Sequence, residues 1–141
     1  MNWADECASA LELAFEFLVT DYGYAVIRRE RSNEGFSLQL GSEKRYVSLL
    51  YDFMEDYLQL EIFRMSPAEF YTITIMEQNL CPFSTLFRYY EPELDLKMLQ
   101  PTDRQCAGAI ELNAALLRRY GDKVLNGEEW IGLPSVMQGS E

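Results

Sequence analysis

The stretch that decides the fold is Arg45-Tyr46-Val47-Ser48-Leu49-Leu50-Tyr51-Asp52, then Phe53-Met54-Glu55-Asp56, then Tyr57-Leu58-Gln59-Leu60-Glu61-Ile62-Phe63-Arg64-Met65. Val47, Leu49 and Tyr51 alternate with less apolar neighbours, and so do Leu58, Leu60 and Ile62. That period of two is the signature of strands with one buried face. A connection as short as Phe53–Asp56 joins antiparallel neighbours, so residues 45–65 read as a hairpin. Working toward the N-terminus, Tyr24–Arg29 and Phe36–Leu40 read as two more strands around the polar turn Arg31-Ser32-Asn33-Glu34-Gly35. Four such runs in succession predict an antiparallel meander, covered on one face by helices.

The helices flank this block. Trp3, Cys7, Leu11, Ala14 and Leu18 recur at helical spacing, widened by Ala10 and Phe15, and predict an amphipathic helix over 3–20. Asn2 is placed to cap it and Gly23 to end it in a left-handed conformation. At the other end, Pro101-Thr102-Asp103 opens a predicted helix with Cys106, Ile110, Asn113 or Ala114, and Leu117 on one face. Arg118, Arg119 and Lys123 lie near its C-terminal end, where the helix dipole favours cations, and Gly121 is a break point. Between the two blocks, Ser66-Pro67-Ala68-Glu69 has the form of a capping box, and a short helix is expected near 73–80. A further strand is expected over Thr85–Tyr90, and residues 128–141 read as a tail anchored by Trp130 and Ile131. No linker divides the chain, so residues 1–141 form one α+β domain.

Composition narrows the function. Twenty-three acidic residues against twelve basic ones give a net charge of −11, with no histidine. Such a surface repels phosphate backbones and anionic headgroups, which disfavours nucleic-acid and membrane binding and favours basic proteins. Without histidine there is no Ser-His-Asp or Cys-His pair and no His-rich zinc site. The glycines are scattered singly, so no phosphate-cradling loop exists. Binding is therefore expected rather than catalysis, and no cofactor or metal. Neither a signal peptide nor an apolar run near the roughly 20 residues of a membrane span is present, which predicts a cytoplasmic chain.

Cys7, Cys81 and Cys106 are odd in number and widely separated, arguing against a disulfide framework. Cys7 and Cys106 lie on apolar helix stripes and are expected to be buried and inert; Cys81, beside Pro82, is the thiol expected at the surface. The carboxylates Asp5, Glu12 and Glu16 share one helix face, where Glu12 and Glu16 could hold a cation or form a solvated edge. The same two readings apply to Glu91, Glu93 and Asp95.

The residues with most to offer a partner are Asp52, Phe53, Glu55, Asp56 and Tyr57, at the tip of the deciding hairpin. Aromatic side chains supply interface anchors and carboxylates steer a basic protein. The alternative is that Tyr51, Phe53 and Tyr57 only close the end of the core. Phe87-Arg88-Tyr89-Tyr90-Glu91 repeats the mixture in weaker form.

Three stretches together carry a family likeness: Phe15-Glu16-Phe17-Leu18 with Tyr22-Gly23-Tyr24; Tyr46-Val47-Ser48-Leu49-Leu50-Tyr51-Asp52; and Leu116-Leu117-Arg118-Arg119-Tyr120-Gly121-Asp122-Lys123-Val124-Leu125-Asn126-Gly127, closing at Trp130. The arrangement resembles small bacterial immunity proteins of polymorphic toxin and contact-dependent growth inhibition systems. The resemblance implies a cognate toxin domain as partner, often a basic nuclease, and assigns no binding residue. An acidic mimic of nucleic acid and a histidine-independent enzyme are the alternative expectations.

Overall fold

A computed structural model describes residues 2–71 and 77–131. Five strands run in sequence order across one antiparallel sheet: β1 (Ala25–Arg31), β2 (Gly35–Gly41), β3 (Tyr46–Asp52), β4 (Tyr57–Phe63) and the short β5 (Leu80–Pro82). The expected four-strand meander is present, with β5 added along the Phe63 end of β4. Helices α1 (Trp3–Ala14) and α2 (Phe17–Thr20) precede the sheet. Within and after it come α3 (Pro67–Phe70), α4 (Phe83–Tyr90), α5 (Ala107–Tyr120) and α6 (Asp122–Leu125). The class is α+β.

The alternation in the hairpin does what its period demands. Register pairs Leu38 with Leu49 and Leu49 with Leu60, and likewise Leu40, Val47 and Ile62 in a second row. With Phe36, Tyr51 and Leu58 these side chains form one buried face. α1, α4 and α5 supply its cover through Leu11, Phe83, Leu86, Phe87, Ile110 and Leu117. Each such side chain fully buried contributes roughly 1.5–3 kcal/mol. The opposite face carries Ser37, Gln39, Ser48, Gln59 and Glu61 over most of its length. At its Tyr46 end, Phe63, Met65 and Phe70 form a second, smaller cluster.

Four expectations need correction. The first helix stops at Ala14, and the chain turns at Phe15 before α2. Residues 83–90 form α4, not a strand, because Phe83, Leu86 and Phe87 stand three and four apart and bury one helical face. That spacing outweighs the strand preference of the aromatic residues. The C-terminal helix begins at Ala107; before it, Asp103 and Arg104 both take positive φ (52° and 63°) in a turn bridged by Thr102 and Gln105. The element expected near 73–80 falls in part outside the described residues; within them, Glu77–Asn79 form a 3-10 turn and Leu80 opens β5. The capping box at Ser66 and Glu69 forms as read, and so do the Asn2 cap and the left-handed Gly23 (φ 72°).

The cysteines depart furthest from expectation. Cys7 and Cys106 form a disulfide, with Cα atoms 6.0 Å apart, joining α1 to the start of α5. Their places on two apolar stripes had been read as separate burial; packing α1 against α5 brings the stripes together. Cys81 is not at the surface. It is fully buried on β5, and burial pushes its thiol up to about 12.

The bond joins residues 99 apart in sequence, for which the chain-entropy account gives about 4–5 kcal/mol of stabilisation. Replacing Cys7 and Cys106 by alanine should lower unfolding free energy in urea by about 2–5 kcal/mol. Thiol titration should find no reactive cysteine in the native protein, one after denaturation, and three after denaturation with reductant. Three titratable thiols without reductant would show that the pair is not bonded.

Candidate partner-binding surface

The hairpin tip between β3 and β4 is held from both sides. Asp52 accepts hydrogen bonds from the backbone N–H groups of Met54 (2.9 Å) and Glu55 (3.1 Å), fixing the first half of the turn. Asp56 sits at φ 53°, a conformation that aspartate tolerates better than most residues. Its carboxylate accepts from the Tyr51 hydroxyl and, at 2.8 Å, from the Arg104 N–H. Two of the carboxylates expected to face a partner are therefore also braces within the protein.

The aromatic residues divide. Phe53 is buried, with Trp3 edge-on at 5.4 Å, Tyr51 at 5.5 Å and the Arg31 guanidinium 5.8 Å from its ring centre. It closes the end of the core. Tyr57 is 49% exposed and Met54 is 73% exposed, and Glu55 is at the surface between them. What the tip offers outward is thus Met54, Glu55 and Tyr57 on a braced turn. Methionine was in the motif but not among the residues singled out; its position directly after the Asp52-anchored step is the signal that could have found it.

Tyr57 also overhangs a feature that sequence reasoning missed. β5 reaches only as far as Glu61, so the outer edge of β4 from Tyr57 to Leu60 has no strand beside it. The Gln100 side chain takes that place: it accepts from the Leu58 N–H at 2.7 Å and donates to the Leu58 carbonyl at 2.8 Å. A side-chain amide presents the same donor and acceptor as a peptide group, so one residue closes one step of the edge. Leu96 and Met98 are exposed nearby in sequence, in the 3-10 segment that leads to Gln100.

The acidic row on α1 resolves into ion pairs. Glu12 meets Arg29 at 2.5 Å and Asp5 meets Arg31, so the cations come from β1 and not from solution. Glu16 is exposed, with no ion pair among the described residues. Glu91 accepts from the Tyr120 hydroxyl, and Asp95 accepts from the Lys97 N–H at 3.0 Å; Glu93 is exposed. No cluster of three or more metal-binding side chains occurs among the described residues. In the weaker motif, Phe87 is buried, while Tyr90 stacks on Tyr120 at 4.8 Å beside an exposed Tyr89.

Arg45 was also missed as a buried group. The residue is 4% exposed, and its guanidinium donates to the carbonyls of Val124, Lys44 and Glu129. Burial lowers its pKa. Trp130 lies between Arg45 and Arg64, 5.0 Å and 5.5 Å from their guanidinium carbons, and donates to the Gln78 carbonyl. Most of the expected tail, from residue 132 onward, lies outside the described set. Among the described residues, no helix is long and apolar enough to cross a membrane.

Tyr22 and Tyr24 are pushed up from 10.0 to about 12, chiefly by burial. The phenols of Tyr46 and Tyr51 are raised too, by burial first and then by hydrogen bonds to Tyr71 and Asp56. Each stays protonated in the fold at a pH where the unfolded chain has released its proton. The native state then binds more protons, so stability is intact below about pH 10 and falls as pH rises toward 12. Thermal unfolding at pH 8 and pH 11 should show the loss, and Tyr51→Phe should reduce it. Equal midpoints at the two pH values would contradict the assignment.

Comparison with known proteins finds no matching family, no matching curated protein and no matching solved structure.

Proposed function

We propose that this chain is an immunity protein that binds and neutralises a cognate, basic toxin domain in the cytoplasm, and that it is not an enzyme. The observation that carries the reading is the hairpin tip: Met54 and Tyr57 exposed around Glu55, on a turn braced by Asp52 and Asp56. Exposed apolar anchors on a rigid turn lose little conformational freedom on binding. The charge of −11 raises the encounter rate with a cationic partner before those anchors make contact. The family resemblance in the sequence points to the same class of partner.

The cytoplasmic setting belongs to this proposal. The Cys7–Cys106 bond is of a kind found mainly in oxidising compartments, so the thiol state of the protein inside cells bears on it directly.

The test is capture of the variable C-terminal domain of a large secreted protein encoded beside this chain. Glu55→Lys should slow association and flatten its salt dependence, because Glu55 braces the turn only through its backbone N–H, which the substitution keeps. Met54→Ala with Tyr57→Ala should leave association nearly unchanged and speed dissociation about tenfold or more. Unaltered rates in both variants would remove the hairpin tip as the binding surface, and failure to capture any such domain would remove the toxin reading itself.

A further inference from the structure

The helical layer does not cover the whole sheet. α1 packs over β2 and against α5, while α4 packs over β4 and β5. β1 meets α1 through the Arg29–Glu12 and Arg31–Asp5 ion pairs, yet all seven of its residues are exposed. Val26, Arg29 and Arg31 nevertheless pair with Leu40, Leu38 and Phe36, which places them on the side of the sheet that elsewhere forms the core. A groove of about 880 Å³ runs between α1 and β1 in consequence.

Its floor is apolar, formed by Ala8, Phe15, Leu38 and Leu40. Its rim is apolar at one end, where Leu13 (73%), Val19 (40%) and Val26 (42%) are exposed. The α1 wall carries the acidic row. Arg31 and Arg29 reach across from β1 to neutralise Asp5 and Glu12. Glu16 is left without a cation among the described residues and lines the same groove as the three exposed apolar side chains. Scattered surface apolar residues need no explanation, but three around one uncompensated carboxylate, over an apolar floor, form a patch of defined chemistry.

We propose that this groove docks an amphipathic helix from a protein partner, with its apolar side on Leu13, Val19 and Val26 and a lysine or arginine on the flank facing Glu16. A helix packed about 8–10 Å from the axis of α1 would lie above the outer edge of β1 and complete the layer. An added strand fits less well. β1 carries a bulge at Ile27 and charges on both faces, from Arg28 to Arg31, which are devices that blunt an edge against pairing. A second copy of the chain fits poorly as well, since it would bring another net charge of −11. The inference rests on the reading of the chain as the binder of a cationic protein, and it names the structure that partner presents.

The test uses the full chain, labelled with nitrogen-15, and a synthetic 14-residue helical peptide of leucine and lysine in amphipathic order, roughly the length of an average helix. A second peptide replaces every lysine by glutamate. The Leu/Lys peptide should saturate and shift the amides of Leu13, Glu16, Val19 and Val26, and the Leu/Glu peptide should not bind. Leu13→Asn with Glu16→Gln should weaken the Leu/Lys peptide about tenfold. The charge-matched Glu93→Gln, on an exposed residue outside both surfaces, should leave it unchanged. Shifts confined to other residues, equal weakening by Glu93→Gln, or equal binding of the Leu/Glu peptide would overturn the proposal. So would a concentration-dependent dimer whose shifts fall on these residues without peptide. A toxin domain captured equally well by the Leu13→Asn/Glu16→Gln protein would overturn the groove while leaving the immunity reading intact; peptide binding without toxin capture would do the reverse.

Discussion

The buried face shared by β2, β3 and β4 is the constraint on which the rest of the molecule depends. Phe36, Leu38, Leu40, Val47, Leu49, Tyr51, Leu58, Leu60 and Ile62 all point to one side. A one-residue slip in any pair would turn a strand's apolar set outward. The helices are placed by the need to cover this face. α1 and α5 meet above it, and Cys7 and Cys106 are bonded where they meet. Because the first and last long helices are held together, the cover closes around the middle of the sheet and leaves its flank at β1 without a lid.

The hairpin tip inherits its rigidity from the same face. Tyr51 is a core residue whose hydroxyl reaches out to Asp56, and Phe53 turns back inward beneath Trp3. The residues between and after them are pushed outward as a result. Asp56 also accepts from Arg104, in the turn before α5, so the tip is fastened to a second element. A braced tip and an uncovered groove lie at two borders of one core. The Asp5–Arg31 pair links them, since Arg31 lies over the Phe53 ring and Asp5 stands on the groove wall.

Much of this was legible in the sequence, and the legible parts share a cause. Val47-x-Leu49-x-Tyr51 and Leu58-x-Leu60-x-Ile62 announce their strands because burial on one side imposes period two. Ser66 with Glu69, Asn2 and Gly23 act locally, so their roles can be read without knowing the fold. What was missed is non-local. Nothing in the spacing of Cys7 and Cys106 says that their helices touch. Thr85–Tyr90 has strand-forming residues, and its helical identity rests on Phe83, Leu86 and Phe87 facing the core together. At the candidate site, Phe53 and Tyr57 have similar chemistry, and only the return of Trp3 over the turn decides which is buried. The acidic row was visible; its cations, on β1, were not, because strand and helix meet only in the fold. Gln100 is one amide among several until the missing strand beside Leu58 is seen.

The central claim is that one face of this sheet is sealed over β2 to β4 and uncovered over β1. Amide hydrogen exchange of the isolated protein tests it most directly, because amides in a sealed core exchange only through global opening and those of a bare flank through local fluctuation. The account predicts the slowest exchange at Leu38, Val47, Leu49 and Ile62, with β1 and the exposed turns of α1 faster by orders of magnitude. Exchange in β1 as slow as that of β3 would contradict it, since the flank would then be as well covered as the core.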